Sequence, residues 1–213
     1  MLTVALRIPA ALGKRYLSVF SSDKKEDPLI TERRELRKKL KGLNPFSRNT
    51  DDETVKAFET ELLPTMNVIP KSLQQIEVLT GEKVPLVNTS KPTALLLAFN
   101  QLSWLLIEEW RENLPSDQVN PIQCSVVDSI FTRLFTASIK NNLKREVPEN
   151  LHSTCAVISK NFEAEKKFFQ IETLKVPYVF IIDTKGRLRW RSCGSITNDD
   201  RTSLLDSLVK ISK

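Results

Sequence analysis

The chain has 213 residues, 40% of them hydrophobic, and a formal net charge of +6: apolar material for one good core, in one domain with extensions or two small domains. Its five glycines, Gly13, Gly42, Gly81, Gly186 and Gly194, never come closer than eight residues, which excludes phosphate-binding and dinucleotide-binding glycine loops. Three cysteines without Cys-x-x-Cys spacing and a single histidine, His152, supply a zinc site poorly, so neither metal nor cofactor is expected.

The first segment, "MLTVALRIPAALGKRYLSVFSS", has no acid before Asp23 and carries Arg7, Lys14 and Arg15. That is the composition of an amphipathic mitochondrial transit peptide. Arg7 and Pro9 interrupt the apolar core that a secretory signal needs. "RYLS", Arg15 to Ser18, resembles a matrix-protease cleavage pattern, so residues 1–17 are expected to be removed.

Residues 29–48 hold the largest share of the charge, +5, with seven bases against Glu32 and Glu35. Asp27 can cap a helix with Pro28 in its first turn, and Gly42 is a plausible stop. Arg33, Arg34, Arg37, Lys38, Lys39 and Lys41 dominate that helix. They are candidate contacts with an anionic membrane surface, at roughly 1 kcal/mol per basic residue close to the lipid. "DDETVKAFETELLPTM" then predicts a short amphipathic helix with Val55, Phe58, Leu62 and Leu63 on one side. The expected organisation is a transit peptide at 1–17, a basic helical extension at 18–68 and the main domain at 69–213. Residues 49–213 are near neutral, at −1, so no nucleic acid is expected on that body.

Within it, residues 74–87 read as a hairpin around Thr80-Gly81-Glu82. Residues 94–99 are an apolar run suited to a buried strand. From Leu102, apolar positions at Leu105, Leu106, Trp110 and Leu114 follow helical spacing. The stretch from Ala94 to Ile107 is too short and too polar to span a membrane. A strand is predicted at 121–127. One helix is predicted over 129–143, with Ile130, Leu134, Ile139 and Leu143 as its apolar stripe and Phe131 and Phe135 beside it. A strand at 152–159 and a short helix with Phe162, Phe168 and Phe169 follow. The hairpin at 178–192 turns at Asp183-Thr184-Lys185-Gly186. The closing helix has Leu204, Leu205, Leu208 and Ile211 inward.

Strand–helix alternation followed by a hairpin and a helix is the thioredoxin-like plan, an α/β class. Val176-Pro177 stands where that fold places a cis-proline, so the 94–110 junction and the Pro177 loop should lie side by side. A redox cysteine belongs at that junction, but the residues are Asn100, Gln101, Leu102 and Ser103. The fold is therefore expected to lack its dithiol.

Three stretches, "TALLLAFNQLSWLLIEEWREN", "IQCSVVDS" and "YVFIIDTKGRLRWRSCGSI", resemble the mitochondrial ATP synthase Fo assembly factors of the ATP-ten family over about residues 85–210. The last is the most specific: an apolar strand ending in Asp, a tight turn, then Arg189, Trp190 and Gly194 as Arg-Trp-x-x-x-Gly. The resemblance implies a non-enzymatic chaperone at the inner mitochondrial membrane, on the matrix side and peripheral. Its implied client is subunit a (subunit six), helped to meet the c-ring.

Candidate client contacts are Asn100, Ser103, Trp104 and Pro177 around the junction, and Arg189, Trp190 and Arg191 on the hairpin. Strand alternation puts Arg187, Arg189 and Arg191 on one face, expected to be solvated, and Leu188 with Trp190 on the other. Two other functions compete. A thiol enzyme would use Cys193, the cysteine with arginines nearby. An RNA-associated protein would use residues 29–48, which lack interleaved aromatics for stacking.

Overall fold

In the computed structural model, residues 60–63 and 67–211 are described. The expected transit peptide, the basic helix and the positions Val55 and Phe58 lie outside them. Strand β1 is Glu61–Leu62, where an amphipathic helix was expected, and β2 (Gln75–Glu77) with β3 (Lys83–Pro85) is the expected hairpin. The central strand β4 (Thr93–Ala98) leads into helix α1 (Gln101–Glu112), and β5 (Asn120–Val126) follows. Two helices come next, α2 (Ile130–Arg133) and α3 (Thr136–Glu146), then β6 (Cys155–Ile158) and α4 (Glu163–Phe169). The hairpin β7 (Tyr178–Ile182) and β8 (Leu188–Cys193) and helix α5 (Asn198–Ile211) close the order. His152 falls in a 3-10 turn ahead of β6 rather than in the strand itself.

The main sheet runs β1-β8-β7-β4-β5-β6. β4, β5 and β6 are parallel; β7, β8 and β1 alternate in direction. A βαβ unit joined to a ββα unit about a central strand is the thioredoxin-like arrangement, with β6 and α4 added beyond β5. Every residue of β4 and β7 is buried, which explains their unbroken apolar runs: both faces of the sheet are covered there. One face packs with α4 through Phe162, Phe169, Tyr178 and Phe180. The other packs α1, α3 and α5 through Trp110, Leu143, Trp190 and Leu204.

The outer sides of β6 and β8 are both covered. Val78 bridges Ala156 beside β6, and the Leu79 amide donates to the Cys155 carbonyl at 2.7 Å. On the far side β1 pairs with β8, the Leu63 amide donates to the Arg189 carbonyl at 2.8 Å, and Val68 bridges Arg187. Covered edges offer no long unpaired template for another chain.

Three expectations are corrected. The helix expected over 129–143 is broken at Leu134–Phe135 into α2 and α3. Thr132 and Thr136 turn their hydroxyls back onto the Ser129 and Arg133 carbonyls at 2.9 and 2.7 Å, a pattern that bends helices. The Thr136 hydroxyl also meets that of Ser159 at 2.6 Å, anchoring the new start at the end of β6. Leu205 is outward, not in the core, while Leu204 and Leu208 are buried. Leu188 and Trp190 lie in opposite cores, because a register shift places Ile181 opposite Trp190 and Ile182 opposite Leu188. The bulge at Arg189 switches the face that strand alternation assigned.

Candidate functional site

The β4–α1 junction is a closed polar lock. The Asn100 side chain accepts the Ser103 amide at 2.8 Å. The Ser103 hydroxyl accepts the Phe99 and Asn100 amides at 3.0 Å each and donates to the Asn100 carbonyl at 2.9 Å. These reciprocal bonds form a capping box, here with Ser at the third helical position. The side chains that occupy the place of a redox cysteine are spent on stabilising the helix start.

The Pro177 loop lies beside this junction, as the sequence suggests. Asn100 Nδ2 donates to the Leu174 carbonyl at 2.7 Å, Phe99 meets Tyr178 edge-on at 6.2 Å, and Leu97 pairs with Tyr178. The peptide bond expected to be cis is trans: none of the described residues has a cis bond. Pro177 is buried and its carbonyl accepts the Gly194 amide at 3.0 Å.

The expected contact residues divide. Asn100 is exposed. Ser103, Trp104 and Trp190 are buried, so in this structure they are interior groups and not surface contacts. Trp190 stands edge-on to Trp110 at 6.0 Å and donates to the Ser203 hydroxyl at 3.2 Å. Trp110 donates to the Gly194 carbonyl at 2.8 Å, with Gly194 at φ +80°. The Arg-Trp-x-x-x-Gly motif is thereby a device that joins the end of β8 to α1 and to the Pro177 loop.

The three hairpin arginines are paired, not merely solvated. Arg187 reaches Asp183 Oδ2 at 2.6 Å and Arg189 reaches the same atom at 3.4 Å. Arg191 pairs with Glu61 on β1 and with Gln170 after α4. Asp183 Oδ1 also accepts the Lys185 and Arg187 amides at 2.9 Å each. Burial opposes the charge on Asp183, but these amides and the Arg187 guanidinium outweigh it and hold the carboxyl below its usual range.

None of the three cysteines forms a disulfide, and all are buried. Burial pushes the Cys124 and Cys155 thiols up, away from the thiolate. Cys193, the thiol-enzyme candidate, sits in β8 opposite Tyr178 with no exposed surface. The cation aimed at a thiol is instead Arg111, 3.2 Å from Cys155 Sγ and also bound to Gln123 and Thr154; burial still dominates there. A cleft of about 840 Å3, bordered by Lys71, Lys83, Lys185 and Gly186, lies at the opposite end of the sheet. Strand β7 runs from Tyr178 beside Leu97 to Ile182 beside Thr93, so the Lys185 turn is remote from Asn100. No cluster able to hold a metal occurs among the described residues.

The sequence reading missed one feature at the junction end: Ile130, Phe131, Leu134 and Phe135 are 71%, 79%, 78% and 63% exposed. Ile130 and Leu134 were expected in the apolar stripe of one helix, with Phe131 and Phe135 beside it; with the helix broken at Leu134–Phe135, all four face outward. Asp128, just before them, accepts the Phe162 amide at 3.0 Å and the Lys166 ammonium at 2.7 Å, which fixes the loop that carries α2.

Fold and site together define a thioredoxin-like domain without the Cys-x-x-Cys pair. The family model described as ATP10 protein matches residues 67–211. The chain belongs to this family of ATP synthase assembly factors, as the ATP-ten resemblance implied. No curated protein matches it significantly by sequence. Among solved structures it is similar to StoA from Bacillus subtilis, at 16% identity over 69% of this chain and 98% of that one, with a TM-score of 0.43. It is also similar to BsSco, a member of the Sco family of cytochrome c oxidase assembly proteins, at 10% identity over 71% of this chain and 98% of that one, TM-score 0.48. A DsbF homologue from Corynebacterium diphtheriae matches at 15% identity over 73% of this chain and 99% of that one, TM-score 0.44. The fold assignment rests on strand order and connections.

Proposed function

We propose that this protein is a non-enzymatic assembly factor of the mitochondrial ATP synthase Fo sector, helping subunit a join the c-ring at the matrix face of the inner membrane. The observation that carries it is the capping box of Asn100 and Ser103 within a domain that matches the ATP10 family over residues 67–211. The fold is kept while the position of its chemistry is given to helix capping, which suits binding rather than turnover. Subunit a is very apolar and must be shielded from wrong contacts until the c-ring is present. A stoichiometric, transient binder meets that need. Asn100 and the adjoining Leu174 loop offer a client contact at the junction, and the paired Arg189 and Arg191 offer a second surface on the hairpin. Arg33, Arg34, Arg37, Lys38, Lys39 and Lys41 supply electrostatic attraction to anionic lipid. No helix among the described residues is long and apolar enough to cross a membrane, in keeping with a peripheral attachment.

The test is affinity isolation from solubilised mitochondria during a pulse of mitochondrial translation. Newly made subunit a should be recovered, and cells lacking the protein should form the soluble catalytic sector but couple it poorly to the membrane sector. Normal assembly of oligomycin-sensitive enzyme in those cells sinks the proposal.

A further inference from the structure

We infer that the α2–α3 junction is a membrane-insertion wedge that sinks Ile130, Phe131, Leu134 and Phe135 into the interface of an anionic bilayer. Four large apolar side chains crowded into six residues, each at least 63% exposed, leave far more apolar area in water at one spot than scattered surface residues do. Helix α2 has only four residues and none of them is buried, so the apolar groups stand on a protruding turn rather than line a groove. A protruding turn fits a fluid interface, whereas an apolar peptide or helix is received by a concave surface.

Charge selects among the possible occupants. From Ser129 to Arg145 there is no acid, and the segment carries Arg133, Lys140, Lys144 and Arg145. Arg133 stands between the two apolar pairs. One of its guanidinium nitrogens donates to the Asp128 carbonyl at 3.0 Å, and Lys140 pairs with Glu77. Lys144 and Arg145 are exposed. Apolar side chains to enter the acyl boundary, with cations beside them for lipid phosphates, are the ingredients of an interfacial element. The same cations oppose a second copy of this face, because the two would meet with like charge.

The capping box, the Asp128–Lys166 contact and the two cores leave the wedge untouched, so it can be altered without touching the fold. The inference needs no client, and its failure would leave the assembly-factor reading standing. The test uses the full purified chain with phosphatidylcholine vesicles, with and without admixed anionic phospholipid. Wild type should cosediment with the anionic vesicles. The quadruple variant I130S/F131S/L134S/F135S, with an unchanged thermal midpoint, should lose affinity by about tenfold or more, since one such side chain moved out of water shifts an equilibrium by roughly that factor. As a second measurement on a protein that keeps the wedge, the indole introduced by Phe131→Trp should be quenched by brominated acyl chains in anionic vesicles. Equal binding by wild type and the quadruple variant overturns the inference, leaving residues 33–41 as the attachment. So does an absence of quenching in the Phe131→Trp variant, equal binding to neutral vesicles, or a wild-type dimer in lipid-free solution that the quadruple variant abolishes.

Discussion

Asn100 and Ser103 each make more than one bond at the start of α1, and removing either leaves helix amides without partners. Asn100→Ala and Ser103→Ala should each lower stability by about 1 kcal/mol, with a smaller combined loss than the sum, read from urea unfolding of the two singles and the double. The cysteines should behave as packing groups. Replacing Cys124, Cys155 and Cys193 together by Ala should leave assembly intact in cells while costing about 1–3 kcal/mol per buried site. A functional loss confined to one variant that still accumulates would restore thiol chemistry to consideration. Asp183 sets an acid limit. Its folded pKa lies below its unfolded value of about 3.9, so its contribution is fully present above that value and is lost as pH falls through the folded pKa. Asp128 is held low in the same sense: burial opposes its charge, but Lys166, the Phe162 amide and Arg133 prevail. Asp183→Asn should therefore reduce stability at pH 7 by about 2 kcal/mol and flatten its fall below about pH 4, measured by thermal unfolding as the pH is lowered.

At the scale of elements, Leu63 tests the closure of the sheet. Leu63→Pro removes the amide that bonds the Arg189 carbonyl. It should cost about 1 kcal/mol and raise light scattering on mild heating, because it loosens the cover on β8. The strands were the most legible part of the sequence. Residues 94–98 and 178–182 are apolar on both faces, and no helix period competes there. The hairpin turn was legible because Asp183 and Gly186 are turn residues with few alternatives. What escaped was set by contacts distant in sequence. The break in the 129–143 segment depends on Thr136 meeting Ser159 across the sheet, and its hydrophobic pattern alone reads as one helix. The bulge at Arg189 depends on the pairing with β7. The assignment of β1 depends on Glu61 finding Arg191, a partner 130 residues away. At the junction the missing cysteines were plain, but the burial of Ser103 and Trp190 was not.

At the scale of the whole molecule, attachment to a membrane should be reversible. With no spanning helix among the described residues, alkaline carbonate should release the protein from isolated membranes into the supernatant. Retention in the pellet would point to an integral segment outside residues 67–211. The pairing of β1 with β8 has a further consequence, for biogenesis. A chain is made and threaded through pores N-terminus first, so Glu61 emerges long before Arg191 does. The central strand β4 likewise waits for β7, its antiparallel neighbour, across more than eighty residues. Neither core can close on a partial chain, and the earlier strands must be kept from aggregating until the last hairpin arrives. The last hairpin to be made is thus the piece that lets both cores close.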